Sequence, residues 1–346
     1  MDNLKVFKGK EDIKVKIKPR IDLKNRTKLE TVIPLKVPFI IFVDPSDLCN
    51  FKCKFCPSGD IFLMKEVGRS LNTMDFDLYK KIIDDICEFE KQIKVLRLYK
   101  DGEPLLNPRF VDMVKYARKK KCAERIDTTT NASLLNPKLN LEIIEAGLDR
   151  INISIEGVNE KQYLEFSNFR IKFDKFVNNI RHFYENKNEN CEVIIKINGD
   201  TISDEDKLKF YEIFGDIADG VFIEHIMSCW PEFELKDVEV NQEYGIYGQK
   251  IKEVMVCPYV FYSFSINSDG SVSACFLDWS RKLIIGDARK ESVKDIWNGE
   301  KLLKYQKMFL RKERKQHSVC KNCGQLSHGL PDNIDDYAEI LLGRLK

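Results

Sequence analysis

From residue 38 onward, short apolar and β-branched runs alternate with longer stretches of helical period. The runs 39–43, 95–99, 125–129, 150–155, 193–197 and 221–226 have strand length and composition. Between them, 75–90, 108–120, 137–146, 173–186 and 204–214 read as helices. Asp75 offers a capped start at residue 75, and Gly147 a stop after residue 146. Strands that alternate with helices in this way imply βαβ units and a parallel sheet. Right-handed crossovers would curl it into a partial (β/α)6 TIM-type barrel, an α/β fold spanning 38–226.

The pattern differs on either side. Residues 1–37 are polar and Lys-rich, and read as an extended lead-in; 227–256 read as a connector. In 257–346, strands at 259–267 and 271–275 flank Ser268-Asp269-Gly270. That tripeptide predicts a hairpin turn, because Asp-Gly readily supplies positive φ. A helix follows from Ser292.

Composition narrows the function. With 57 Lys and Arg against 55 Asp and Glu, the chain lacks the basic footprint of a nucleic-acid binder. The run Arg311 to Lys315 reads as a solvated helix end. The N-terminal segment has no apolar core of a secretory signal, and no run is apolar enough to span a membrane. A cytoplasmic location is therefore expected. There the 11 cysteines argue for metal ligation or catalysis rather than disulfides.

Cys49, Cys53 and Cys56 follow the first barrel strand directly. Three thiolates so close in sequence can converge on one metal centre. A 4Fe–4S cluster held by three cysteines keeps one iron open; zinc is the competing reading, although structural zinc sites usually want a fourth protein ligand. Loops after barrel strands commonly carry chemistry.

The CxxxCxxC spacing, with Phe55 before its last cysteine, resembles the signature of radical S-adenosylmethionine (SAM) enzymes. In that family the open iron chelates SAM, and reductive cleavage yields a 5′-deoxyadenosyl radical. The resemblance implies SAM contacts after successive strands. Gly102-Glu103-Pro104 is similar to the family's Gly-Gly-Glu-Pro segment, with Asp101 in place of its first Gly. Asn131 is similar to a ribose-contacting position, and Ser154 and Glu156 to the segment after the fourth strand. Phe55 would shield sulfur and pack on adenine.

Cys257, Cys275, Cys320 and Cys323 form a second set. On spacing alone, four cysteines suit zinc. With the hairpin, Ile285-Gly286-Asp287 and the helix bearing Trp297, however, the segment resembles the SPASM/twitch extension of radical SAM proteins. It is similar to the short twitch form of 2-deoxy-scyllo-inosamine dehydrogenases. That implies one auxiliary 4Fe–4S cluster ligated by all four, two clusters in the whole chain, and an electron acceptor rather than a substrate-binding iron.

Of the remaining cysteines, Cys87, Cys122 and Cys191 fit small buried hydrophobes. Cys229 follows the sixth strand, where its thiol can return a hydrogen atom to a substrate radical. Glu224 and His225 are adjacent on that strand, so one of them faces the barrel interior. An inward Glu224 can accept a proton or bind hydroxyls. The expected function is radical SAM oxidation of an alcohol on a small sugar- or aminocyclitol-like metabolite. The auxiliary cluster would accept the electron, and a flavodoxin or ferredoxin would serve as external donor. Epimerisation through Cys229, peptide maturation and a zinc-binding interaction protein are the alternatives.

Overall fold

The computed structural model describes residues 3–8, 12–22, 25–235, 240–329 and 331–345. The lead-in does more than extend: β1 (Asn3–Lys8) and β2 (Asp12–Ile17) form an antiparallel hairpin, followed by a short helix, Leu29–Val32. Six parallel strands come next: β3 (Ile40–Val43), β4 (Ile93–Arg97), β5 (Ala123–Thr130), β6 (Arg150–Ile155), β7 (Glu192–Asn198) and β8 (Gly220–Glu224). The main intervening helices are Phe76–Ile86, Phe110–Lys120, Pro137–Ala146, Phe173–Asn186 and Asp204–Phe214. Asp75 caps the first by accepting the N–H of Asp77 and of Leu78. That helix ends at Ile86, short of the expected residue 90, and leaves Cys87 exposed at its end rather than packed. Cys122 and Cys191 are buried as expected.

Side chains alternate across each strand. Leu96, Ile126, Ile151, Ile153, Val193 and Ile195 are fully buried in one apolar core that also takes in Phe110, Ile143, Phe183 and Phe210 of the helices. The opposite face carries Arg97, Asp127, Arg150 and Glu192, paired in register from strand to strand. The interior of the half-barrel is therefore polar and open, unlike the branched apolar filling of a closed barrel.

The C-terminal segment continues the same sheet. β9 (Ser263–Ile266) pairs in parallel with β3, and β10 (Ser271–Ser273) and β11 (Ile284–Asp287) add antiparallel beyond it. The turn between β9 and β10 falls where Asp269-Gly270 predicts it, with Gly270 at φ +88°. The sheet order is β1-β2-β8-β7-β6-β5-β4-β3-β9-β10-β11. Trp297 closes this part, its ring stacked on Phe264 at 5.6 Å and its N–H donated to Leu35 O. No described helix is long and apolar enough to cross a membrane.

Candidate active site

The first cysteine loop leaves β3 and is pinned from several sides. Phe51, between Cys49 and Cys53, buries its ring against Phe169 (4.8 Å) and Tyr163 (6.2 Å). Lys52 N–H and Lys54 N–H donate to Ser167 O and Phe166 O. Ser58 Oγ donates to Asp101 O at 2.7 Å. Phe55 is half-buried beside Cys56. Burial pushes the Cys49 thiol up to about 12 and those of Cys53 and Cys56 upward as well. Holding all three as thiolates thus requires a cationic centre.

The predicted contacts after the next strands converge on this loop. Gly102 lies under it: a Cβ there would sit 2.2 Å from Ser46 O and 2.3 Å from Leu48 O, so only glycine fits. Glu103 N–H donates to Leu48 O. Its carboxylate is buried and accepts from Thr130 Oγ (2.6 Å), Asn131 N (2.7 Å) and Leu105 N (3.0 Å). Burial pushes it up to about 7 against those three bonds. Glu103 is thus a brace between the ends of β4 and β5, with Pro104 buried behind it. Asn131 Nδ2 donates to Asn50 Oδ1 within the cysteine loop. Ser154 faces the cavity, and burial raises the Glu156 carboxyl to about 7, opposed by Lys196. Both Cys49 and Cys53 feel the Glu156 charge.

Asp101, where the family resemblance has glycine, has a partner set of its own. It pairs with Lys100 (2.5 Å) and with Arg281 (2.7 Å) from the C-terminal segment, and Arg281 also holds Asp47 at 2.7 Å. Arg69 closes the network on Asp47 at 2.6 Å. These buried pairs tie the cysteine loop to the C-terminal segment.

The second set gathers in that segment. Cys257 is buried ahead of the turn Tyr259–Phe261, Cys275 follows β10, and Cys320 and Cys323 bracket a single helical turn. Cys257 feels the charge of Cys323 and Cys320, and Cys275 that of Cys257 and Cys323. The donor set, cysteine thiols in groups of three and four, suits 4Fe–4S clusters.

A cavity of about 1060 Å³ fills the half-barrel; no cysteine of either set is in its wall, but neighbours of both sets are. Its wall includes Ser154 and Lys196 near the first, and Cys229, Tyr259, Phe276 and Leu277 near the second. Cys229 is buried between them: the Cys323 thiol points to Cys229 O at 3.9 Å, and burial, then Cys323 and Cys56, push the Cys229 thiol up to about 12. Glu224 is the inward member of its pair, held by Lys196 (2.9 Å) and Arg20 (3.1 Å). Burial opposes ionisation, but these cations keep its carboxyl below the usual range. His225 turns outward to Asp200. The sequence reading missed Arg20 and Lys196. It also missed the polar stripe Arg97, Arg125, Arg150, which period-two alternation within the strands does reveal.

A half-barrel with a three-cysteine loop after its first parallel strand, continued by a four-cysteine segment, defines a radical SAM protein with an auxiliary iron–sulfur domain. Comparison agrees: the Radical SAM superfamily profile matches residues 43–211, and the SPASM iron–sulfur cluster-binding domain matches 257–324. The chain thus carries a radical SAM domain followed by a C-terminal SPASM domain, with SAM and 4Fe–4S clusters as its cofactors. It is 22% identical over 301 residues to the S-adenosyl-L-methionine-dependent 2-deoxy-scyllo-inosamine dehydrogenase of Niallia circulans, covering 86% of this chain and 96% of that protein. It is 30% identical over 162 residues to the GTP 3′,8-cyclase of Clostridium perfringens, covering 47% of this chain and 46% of that one, so the match spans under half of that relative. The structure of BtrN in complex with AdoMet and 2-DOIA superposes with a TM-score of 0.55 at 19% identity, covering 86% of this chain and 98% of BtrN.

Proposed function

We propose that the protein is a radical SAM dehydrogenase that oxidises an alcohol carbon of a small hydroxylated metabolite, sugar- or aminocyclitol-like. The observation that carries this reading is the cavity of the half-barrel, whose wall takes in Ser154 and Lys196 on the side of the first cysteine set and Phe276 and Leu277, next to Cys275, on the side of the second. A substrate held there would lie between the two sets. Bound SAM and its cluster supply hydrogen-atom abstraction, and the fully ligated second cluster supplies an electron sink. The chain's own share is positioning. Cys49, Cys53 and Cys56 hold the first cluster, and Gly102, Asn131, Ser154 and Glu156 shape the SAM pocket. Glu224, kept as a carboxylate by Arg20 and Lys196, can take the hydroxyl proton. Phe42, Tyr99, Tyr259 and Phe276 form an aromatic wall that keeps out water, with Phe42 stacked on Phe276 at 4.9 Å. The alignment along nearly the whole dehydrogenase of Niallia circulans supports the same reaction type. A cytoplasmic flavodoxin or ferredoxin would provide the priming electron.

Epimerisation is the second reading, favoured by one observation: Cys229 lines the cavity as a buried thiol. Turnover in deuterium oxide separates the two. Oxidation is expected to give a ketone without carbon-bound solvent deuterium, and Cys229→Ala should still form it. A product of unchanged oxidation level carrying one deuterium, lost in Cys229→Ala, would establish the epimerase instead.

A further inference from the structure

The cavity wall carries an excess of positive charge that neither cluster nor SAM accounts for. Nine cations line it, and six of them fall into three pairs that each share one carboxylate. Arg97 and Arg125 share Asp127, Lys18 and Arg150 share Glu192, and Arg20 and Lys196 share Glu224. These six against three carboxylates leave a net charge of +3, and the sum stands when the rest of the wall is added, since Lys100 pairs with Asp101 and Lys94 offsets Asp22. Arg26 and Asp332, also in the wall, pair with each other and cancel.

The arginine pair around Asp127 is the least satisfied. Its contacts to that carboxylate are long, 3.8 Å from Arg97 and 3.6 Å from Arg125. The Nε atoms of both arginines are buried with no hydrogen-bond partner among the described residues. Burial lowers the Arg125 pKa, Asp127 opposes this, and Arg150 and Arg97 add to the depression, as expected of crowded like charges. Buried donors in this state call for an acceptor. The pair lies deep. Asp127 precedes Asn131 at the rim by four residues, about 13 Å of strand, so this charge is remote from the cysteine loop.

We propose that the substrate is an anion, a metabolite bearing a phosphate ester or more than one carboxylate, whose charged end docks on Arg97 and Arg125 at the floor of the half-barrel. The guanidinium fork suits both groups, since each offers paired oxygens for bidentate contact. The reacting carbon then points up to the rim, where Ser154 and Lys196 stand. This deepens the radical SAM reading above and rests on it for the direction of the reacting end.

Calorimetric titration of the anaerobically reconstituted, SAM-loaded protein with pyrophosphate, citrate and neutral myo-inositol tests the proposal. Saturable binding of pyrophosphate or citrate is expected, weakened by salt, and the anion that binds tells phosphate from polycarboxylate. Arg125→Gln should weaken it roughly tenfold or more, the loss of a charge-assisted hydrogen bond. Asp127→Asn, which removes the competing carboxylate, should tighten it by about threefold or more; a purely structural role for the trio predicts no tightening. If Arg125→Gln does not fold, Asp127→Asn decides alone. Binding of myo-inositol as tight as that of either anion, or unchanged anion binding in the variants, would overturn the proposal. Formation of 5′-deoxyadenosine by the reduced wild type is scored separately. If SAM is cleaved but no anion binds, only this inference fails; if an anion binds without SAM cleavage, the enzymatic reading fails.

Discussion

Cys53 stands between Cys49 and Cys56 on a loop held by the buried ring of Phe51. In the proposed site all three sulfurs would hold one cluster, so loss of any one would remove it. Cys53→Ala, reconstituted anaerobically and reduced with dithionite, should form no 5′-deoxyadenosine by chromatography; formation at the wild-type rate would contradict the site. Asp44, after β3, shows a different use of burial. Burial, then Asp101 and Asp47, raise its carboxyl from 3.8 to about 8, against Lys100 and Arg281. Neither of its oxygens has a hydrogen-bond partner among the described residues. Between those pH values the unfolded chain has lost the proton that the native state keeps, so native stability falls as pH rises through the window. Asp44→Asn lacks this dependence. Its unfolding midpoint relative to wild type should rise from pH 5 to pH 8, and a relative fall would refute the assignment. The two cysteine sets stood out in sequence because thiols at fixed spacing have few other uses, and their role as cluster ligands is the proposal that Cys53→Ala tests. Asp44 was not singled out, because a carboxylate just past a strand acquires meaning only once its burial is known, and the arginine stripe was missed although strand alternation reveals it.

At the scale of elements, the strands with the clearest apolar runs were placed to within a few residues, and 150–155 matched β6. Helices 137–146, 173–186 and 204–214 also matched, because amphipathic period and caps agree there. The lead-in hairpin was missed. β2 is recruited by the edge of β8, a long-range pairing that no local pattern encodes. The loop after β4 is the most constrained connection. Gly102 touches two backbone carbonyls that cannot swing aside as a side chain would. Gly102→Ala must therefore displace the cysteine loop or its own. Equilibrium dialysis should show SAM affinity down by roughly tenfold or more, in line with about 1–3 kcal/mol of overpacking strain. Unchanged affinity would mean that this loop does not shape the SAM pocket.

For the whole molecule, two clusters imply about eight irons per chain. Replacing Cys320 and Cys323 together by Ala should lower the iron content to about four while SAM cleavage persists. Stoichiometric zinc in anaerobically purified wild type would reassign the C-terminal centre. The sequence showed a change of pattern after residue 226, with a connector over 227–256 before the second cysteine set at Cys257. What sequence could not show is how the two parts join. β9 lies beside β3 with four register pairs, and Arg281 reaches across to Asp47 and Asp101. The sheet thereby acts as a ruler. Tunnelling rates decay steeply with separation, and in the proposed reaction the spacing between the two cysteine sets would be set by this shared sheet as the chain folds.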